Sequence, residues 1–123
     1  MTIISPERME IYKRSARQRE SEQQQMLAQR REAAWRVARQ AATLLKVEFG
    51  ATRVVAFGSL AHGAWFNARS DIDLMVGGLP PEKFWRAWAA LDLTNAGFEI
   101  DLVADDEVTD RLRDVIEHEG VEL

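Results

Sequence analysis

The sequence predicts an α+β fold: a small mixed β-sheet of at least three strands, flanked by helices and preceded by a long N-terminal helix. The long helix is predicted because residues 7–49 contain neither glycine nor proline, and apolar side chains recur at helical spacing in the second half of this stretch. The strands are predicted from three short apolar runs bounded by turn residues. Two later stretches place apolar residues every three or four positions, which is typical of amphipathic helices that cover a sheet.

Each predicted element has its own boundary signals. The N-terminal helix is predicted to start at Ser5, because serine is a favourable N-cap and Pro6 suits the first helical position. Gly50 is predicted to end this helix. Strands are predicted at 53–57, 71–76 and 98–103. The later helices are predicted at 81–93 and from a cap at Asp105 or Asp106 to Gly120.

The long helix divides the chain by composition. Residues 13–25 offer a single alanine as an apolar side chain, whereas residues 26–49 carry one apolar stripe. Because the first part cannot bury much surface, we expect it to project from the molecule or to meet a partner. The predicted domains are therefore a polar helical arm over 1–25 and a compact domain over 26–123, which includes the packing helix 26–48.

Bulk composition excludes several classes of protein. A chain of 123 residues with 46% apolar residues suits one folded domain, so general disorder is not expected. The absence of cysteine excludes a disulfide scaffold and a thiolate metal site. No apolar run approaches the roughly 18 residues of a membrane span, and the N-terminus lacks the apolar region of a signal peptide. We therefore expect a cytoplasmic protein that does not bind a membrane.

Charge is distributed unevenly along the chain. Residues 1–50 carry ten Lys and Arg against six Asp and Glu, whereas residues 51–123 carry six against fourteen. An acidic body repels nucleic acid unless a metal ion intervenes. A polynucleotide ligand is therefore not expected.

Gly58-Ser59 follows the first predicted strand at a sharp turn into a short helix. Glycine lets the backbone approach a ligand closely, and the first N–H groups of a helix bind phosphate. A plain turn is the alternative interpretation of this pair.

Three aspartates form the second candidate feature. Asp71 and Asp73 lie two apart on a predicted strand, so their side chains point to one face with backbones about 6.6 Å apart, and they could share hard cations. Asp101 lies in the middle of a short strand, where a charged residue is uncommon. The alternatives are a solvated polar face for the first two and an ion pair with a buried arginine for Asp101.

Chain spacing brings these features together. Only eleven residues, 60–70, separate Ser59 from Asp71, which is too few for a parallel crossover and predicts antiparallel neighbours. That pairing sets the glycine turn beside the two aspartates, and a third strand alongside adds Asp101. Carboxylates this close would repel by roughly 4 kcal/mol per pair at about 4 Å with an effective dielectric near 20. Mg²⁺ that bridges carboxylates and a triphosphate would offset this repulsion.

The segment from Gly58 to Leu74, GSLAHGAWFNARSDIDL, resembles the signature of the DNA polymerase β-type nucleotidyltransferase superfamily. Within that superfamily the chain is most similar to the minimal nucleotidyltransferases (MNT proteins). Residues 100–103 resemble the third-aspartate strand, and residues 116–123 also resemble these proteins. The likeness covers about residues 50–123 and implies an α/β-type nucleotidyltransferase fold.

The resemblance also implies roles for individual residues. Asp71 and Asp73 would hold two Mg²⁺ ions, and Asp101 would bind the catalytic ion and help to deprotonate the attacking hydroxyl. Gly58 and Ser59 would hold the triphosphate of ATP.

Two further residues are assigned to nucleotide binding. His62 stands where relatives usually carry arginine, and it lacks a fixed positive charge at neutral pH. Arg69 precedes Asp71 by two residues and could touch phosphate. The structural alternatives are a helix-surface histidine and a solvated loop arginine.

Many MNT proteins are similar to the antitoxins of HEPN–MNT toxin–antitoxin pairs. The implied function is transfer of AMP from ATP to a tyrosine hydroxyl of a HEPN ribonuclease toxin, within a homo- or hetero-oligomer. One alternative is an antitoxin with little or no catalysis, which neutralises its toxin by complex formation. Another is nucleotidyl transfer to a small hydroxyl compound.

Overall fold

The computed structural model of the protein describes residues 4–94 and 96–123. It confirms the predicted fold class, with a long first helix and a mixed sheet flanked by helices. In chain order the elements are α1 (Pro6–Phe49), β1 (Arg53–Phe57), α2 (Gly58–His62), β2 (Ile72–Gly77), a 3₁₀ turn (Pro81–Lys83), α3 (Phe84–Asp92), β3 (Ile100–Ala104), α4 (Asp110–Glu119) and β4 (Val121–Glu122).

Helix α1 begins and ends where the sequence predicts. The Ser5 hydroxyl accepts a hydrogen bond from the Arg8 N–H, and Gly50 ends the helix in the left-handed conformation with φ 77°. The helix has 44 residues and is therefore about 66 Å long. Its fully buried positions run from Ala34 to Leu45. None of the described helices is long and apolar enough to cross a membrane.

The sheet has four strands in the order β3-β2-β1-β4. Strand β1 is antiparallel to β2, as the short connection between them predicts, whereas β2 and β3 are parallel. Strand β4 pairs antiparallel with β1 and was not predicted, because two residues carry no periodic signal.

Alternate residues of the strands separate two faces of the sheet. The core face packs on α1 and α3 and consists of Val54, Ala56, Ile72, Leu74, Val76, Ile100 and Leu102. The opposite face, here called the aspartate face, carries α4 through Ile116 and consists of Val55, Phe57, Asp73, Met75, Asp101 and Val103.

The prediction that Asp105 or Asp106 caps the last helix was wrong. The cap is Thr109, whose hydroxyl accepts a hydrogen bond from the Leu112 N–H at 3.2 Å. The two aspartates instead lie in a turn closed by the Glu107 N–H, which donates to the Ala104 carbonyl. This turn gives the Ala104 carbonyl at the end of β3 a hydrogen-bond partner and separates β3 from the start of α4.

Candidate active site

The strand register sets two of the predicted aspartates side by side. Asp73 of β2 pairs with Asp101 of β3, and Phe57 of β1 pairs with Asp73 from the other side. Side chains of paired residues share a face, and neighbouring strands lie about 4.8 Å apart. Asp71 immediately precedes β2 and belongs to the same alternation. The structure therefore sets Asp73 and Asp101 on one face, and Asp71 lies near enough for its charge to act on Asp73.

The electrostatics of Asp73 reflect this arrangement. Burial, followed by the charges of Asp101 and then Asp71, together raise the pKa of Asp73 from 3.8 to about 6. Within residues 4–94 and 96–123, no lysine or arginine forms an ion pair with any of the three. The alternative of an ion pair for Asp101 is therefore not found in the described part of the chain.

Gly58 lies against the Asp73 carboxylate. Its φ of 72° favours glycine, and a β-carbon built at this position would overlap the Asp73 Oδ2 atom. The glycine turn thus allows the start of α2 to approach the aspartates closely. Ser59, in the first turn of α2, is half-buried at the same place.

A local hydrogen-bond pattern shapes the loop that leads to Asp71. The Ser70 hydroxyl accepts from the Asn67 N–H at 2.8 Å, and the Asn67 side-chain oxygen accepts from the Arg69 N–H at 2.8 Å. Ser70 is the one buried polar residue of the described chain, at 8% exposure. Sequence reasoning missed this pair, although asparagine and serine three residues apart commonly form such turns.

The two other predicted nucleotide-binding residues, Arg69 and His62, lie in different surroundings. Arg69 is exposed on the loop before Asp71. His62 stacks on Trp65 with ring centroids 4.5 Å apart, and its Nε2 atom lies 3.9 Å from a carboxylate oxygen of Glu119. The histidine ring thus contacts neighbours on α4 and on the loop after α2.

Arg31 of α1 supports the short helix α2 and was not found by sequence reasoning. Its guanidinium donates to the Leu60 carbonyl at 2.9 Å and packs against Gly63. This contact ties the end of α2 to the long helix. One arginine among several in a polar helix carries no signal that distinguishes it, because the contact spans 29 residues.

The carboxylate oxygens of the three aspartates are suitable ligands for a divalent cation, although they do not surround a common point in this structure. Within the described residues, no group of three or more His, Asp or Glu side chains is arranged so that it could hold a metal ion. Three neighbouring carboxylates without a cationic partner are nevertheless the ligand type that Mg²⁺ prefers. Side-chain rotation at these partly or fully exposed residues would be needed to bring the oxygens together.

The site lies open on the sheet surface. A cavity of about 650 Å³ lies elsewhere and is bounded by Leu27, Arg30 and Phe98. None of the three aspartates lines it.

Comparisons with known proteins agree with this geometry. The family model for the nucleotidyltransferase domain matches residues 38–123. A solved protein described as a minimal nucleotidyltransferase is 31% identical, with 80% of this chain and 94% of that chain covered and a TM-score of 0.53. No curated protein is detectably similar in sequence.

Two further structures share the fold at lower identity. A mutant of the toxin–antitoxin MntA-HpeT is 22% identical, with 69% of each chain covered and a TM-score of 0.53. A toxin–antitoxin with AMP-PNP is 20% identical, with 68% of this chain and 69% of that chain covered and a TM-score of 0.55. With its domain match and these neighbours, the chain belongs to the nucleotidyltransferase family, among the minimal nucleotidyltransferases.

Proposed function

We propose that the protein is a Mg²⁺-dependent antitoxin that transfers AMP from ATP to a tyrosine hydroxyl of a HEPN-family ribonuclease toxin. The observation that carries the proposal is the register of β2 and β3, which sets Asp73 beside Asp101 next to the Gly58 turn. The three carboxylates have no cationic partner among the described residues, and one of them has its pKa raised to about 6 by burial and by the other two.

The proposed chemistry assigns one role to each group. Asp71 and Asp73 would hold two Mg²⁺ ions, and Asp101 would bind the catalytic one. When bound, magnesium supplies stabilisation of charge on the entering and leaving oxygens. The start of α2, at Gly58 and Ser59, offers backbone N–H groups to the triphosphate.

The transfer itself is an in-line displacement. The acceptor oxygen forms a bond to the α-phosphorus of ATP while the bond to the β-phosphate bridge breaks, and pyrophosphate leaves. Asp101 is the most exposed of the three aspartates and lies on the edge strand, which supports its proposed role of taking the hydroxyl proton.

The comparisons support a toxin partner and a nucleotide substrate. Relatives of the same fold were solved as toxin–antitoxins, one of them with AMP-PNP.

A second candidate function is neutralisation by complex formation with a weak nucleotide site. The observation that favours it concerns His62, whose ring is stacked on Trp65 and lies beside Glu119. A histidine held by an aromatic ring and an acid is a poorer phosphate ligand than a free arginine.

A transfer assay separates the two functions. The protein is mixed with its cognate toxin, Mg²⁺ and each of the four α-labelled nucleoside triphosphates. We expect label on the toxin with ATP, and its loss in Asp73→Asn but not in the control Asp92→Asn, an exposed acid at the end of α3. Label that survives replacement of all three site aspartates would contradict catalysis here, whereas protection of cells without any label would favour simple complex formation.

A further inference from the structure

Strand β3 forms one edge of the sheet, next to the candidate site. The sheet order puts β3 first, with β2 on its inner side alone. The Ile72 N–H donates to the Glu99 carbonyl, and the Asp105 N–H donates to the Val76 carbonyl. The backbone N–H and C=O groups of successive residues in a strand point to opposite edges. Those of Ile100, Leu102 and Ala104 therefore point away from β2.

Two of the outward carbonyls already have partners. The Ile100 carbonyl accepts from the Trp88 indole N–H at 2.9 Å, and the Ala104 carbonyl accepts from the Glu107 N–H at 3.1 Å. The outward N–H and C=O groups of Leu102 and the outward N–H of Ala104 have no hydrogen-bond partner in the described chain. Because Leu102 is only 5% exposed, this edge can accept an added strand over its middle and its end once the side chains that cover Leu102 move aside.

An aromatic groove runs along the same edge. It lies between Phe84, Trp85 and Trp88 on one side and residues 102–107 on the other, with a volume of about 450 Å³. The rings of Trp85 and Trp88 are stacked with centroids 5.5 Å apart. Trp85 is nevertheless 72% exposed, although tryptophan is usually well covered in a folded protein. We call this feature the edge groove.

The wall of the edge groove opposite the tryptophans is acidic. Asp105, Asp106 and Glu107 line it, and Asp101 lies on the same strand. No lysine or arginine among the described residues forms an ion pair with any of these four. An occupant with basic side chains would complement this charge.

We infer that the edge groove binds an extended, basic segment of the acceptor polypeptide as a fifth strand on β3. Opposed residues of paired strands share a face, with β-carbons about 4.5–5.5 Å apart. A hydroxyl-bearing residue opposite Asp101 would therefore lie over the aspartate face. The inference rests on the proposed transfer to a protein and adds how the acceptor is held.

A defined peptide tests the inference on the full chain. The probe is a peptide of alternating lysine and valine with one central tyrosine, added to ¹⁵N-labelled protein with Mg²⁺ and α-labelled ATP. We expect the amide signals of Leu102 and Ala104 to shift and those of β4, at the opposite edge, to stay in place. The tyrosine should become labelled.

Two exposed tryptophans give a matched pair of variants. Trp85→Ala should weaken peptide binding by about tenfold or more, as expected for loss of a buried aromatic anchor. Trp65→Ala should not change it, although Trp65 is equally exposed at 73%. Ala104→Pro removes one outward N–H and leaves the hydrogen bonds to β2 in place, so it should also weaken peptide binding. Thermal melting of all three variants checks that they fold.

The outcomes distinguish this inference from the proposed function. Binding at β3 without labelling supports the edge groove and contradicts transfer to tyrosine. Labelling that is unchanged in Trp85→Ala, with no shift at Leu102, supports transfer and overturns the edge groove. Absence of binding at about 1 mM peptide, or equal weakening by both tryptophan variants, also overturns it.

Discussion

The two faces of one small sheet differ in what they contribute. On the core face, alternate residues of β1, β2 and β3 are apolar and nearly all fully buried against α1 and α3. On the aspartate face, the residues between them include Asp73 and Asp101 in register, with α4 and the start of α2 packed nearby. Burial stabilises the first face, whereas it raises the pKa of Asp73 and so opposes folding on the second. The same strands therefore provide stability on one side and chemistry on the other.

The largest expected effect concerns the core face. Leu74 is fully buried between the two flanking strands, so Leu74→Ala should lower the free energy of unfolding by about 2–5 kcal/mol. Chemical denaturation measures this loss. The matched change on the aspartate face is Met75→Ala, which should cost less because the cluster of Met75 with Val55 and Ile116 is smaller than the core cluster around Leu74. A larger loss at Met75 would contradict the division between the faces.

Gly58→Ala should have the next largest effect and should act on both stability and nucleotide binding. Alanine is disfavoured in the left-handed backbone conformation of this position, and its β-carbon would overlap the Asp73 carboxylate. We therefore expect the free energy of unfolding to fall by roughly 1–2 kcal/mol. Affinity for Mg²⁺ and ATP, measured by calorimetry, should fall with it. Gly50→Ala is the control, since it has a similar φ but open space around it and lies outside the site. Equal loss of ATP affinity in both variants would contradict the role of Gly58.

Asp73→Asn should stabilise the protein while it abolishes transfer. The folded-state pKa of Asp73 is raised from 3.8 to about 6, so the folded protein binds this proton more tightly than the unfolded chain. Wild-type stability should therefore fall as pH rises from about 4 to about 6, and the variant should lack this fall. At pH 7 we expect a gain of about 1 kcal/mol, less than the full shift implies because the site is partly exposed. Thermal melting across pH measures it, and a destabilised variant at pH 7 would contradict the electrostatic account.

Glu119→Gln should have the smallest effect. The Glu119 carboxylate lies 3.9 Å from the His62 ring at a solvent-exposed place, where such pairs contribute less than about 1 kcal/mol. We expect an almost unchanged melting temperature. If His62 contacts phosphate, ATP affinity should change slightly in this variant, and Glu117→Gln, two residues away on the same helix, should leave it unchanged.

Short-range signals made most of the fold predictable. The turn residues around β1 define its bounds, and the short segment between Ser59 and Asp71 forces an antiparallel pair. The placement of Asp71 and Asp73 beside the Gly58 turn follows from that constraint and from alternation along β2.

Long-range pairings were not predictable in the same way. The contact of Arg31 with α2 and the two-residue strand β4 depend on residues far apart in sequence. The parallel register that aligns Asp73 with Asp101 joins residues 28 positions apart and follows from no local pattern. For the same reason the open edge of β3 beside Trp85 appears only in the folded chain.

The most direct test is a crystal structure of the protein with Mg²⁺ and a non-hydrolysable ATP analogue. We expect magnesium about 2.1 Å from carboxylate oxygens of Asp71 and Asp73, with Asp101 turned toward the same place and the triphosphate at the start of α2. Nucleotide bound away from the Gly58 turn, or aspartates that remain apart with no metal between them, would contradict the assignment of this face as the catalytic one.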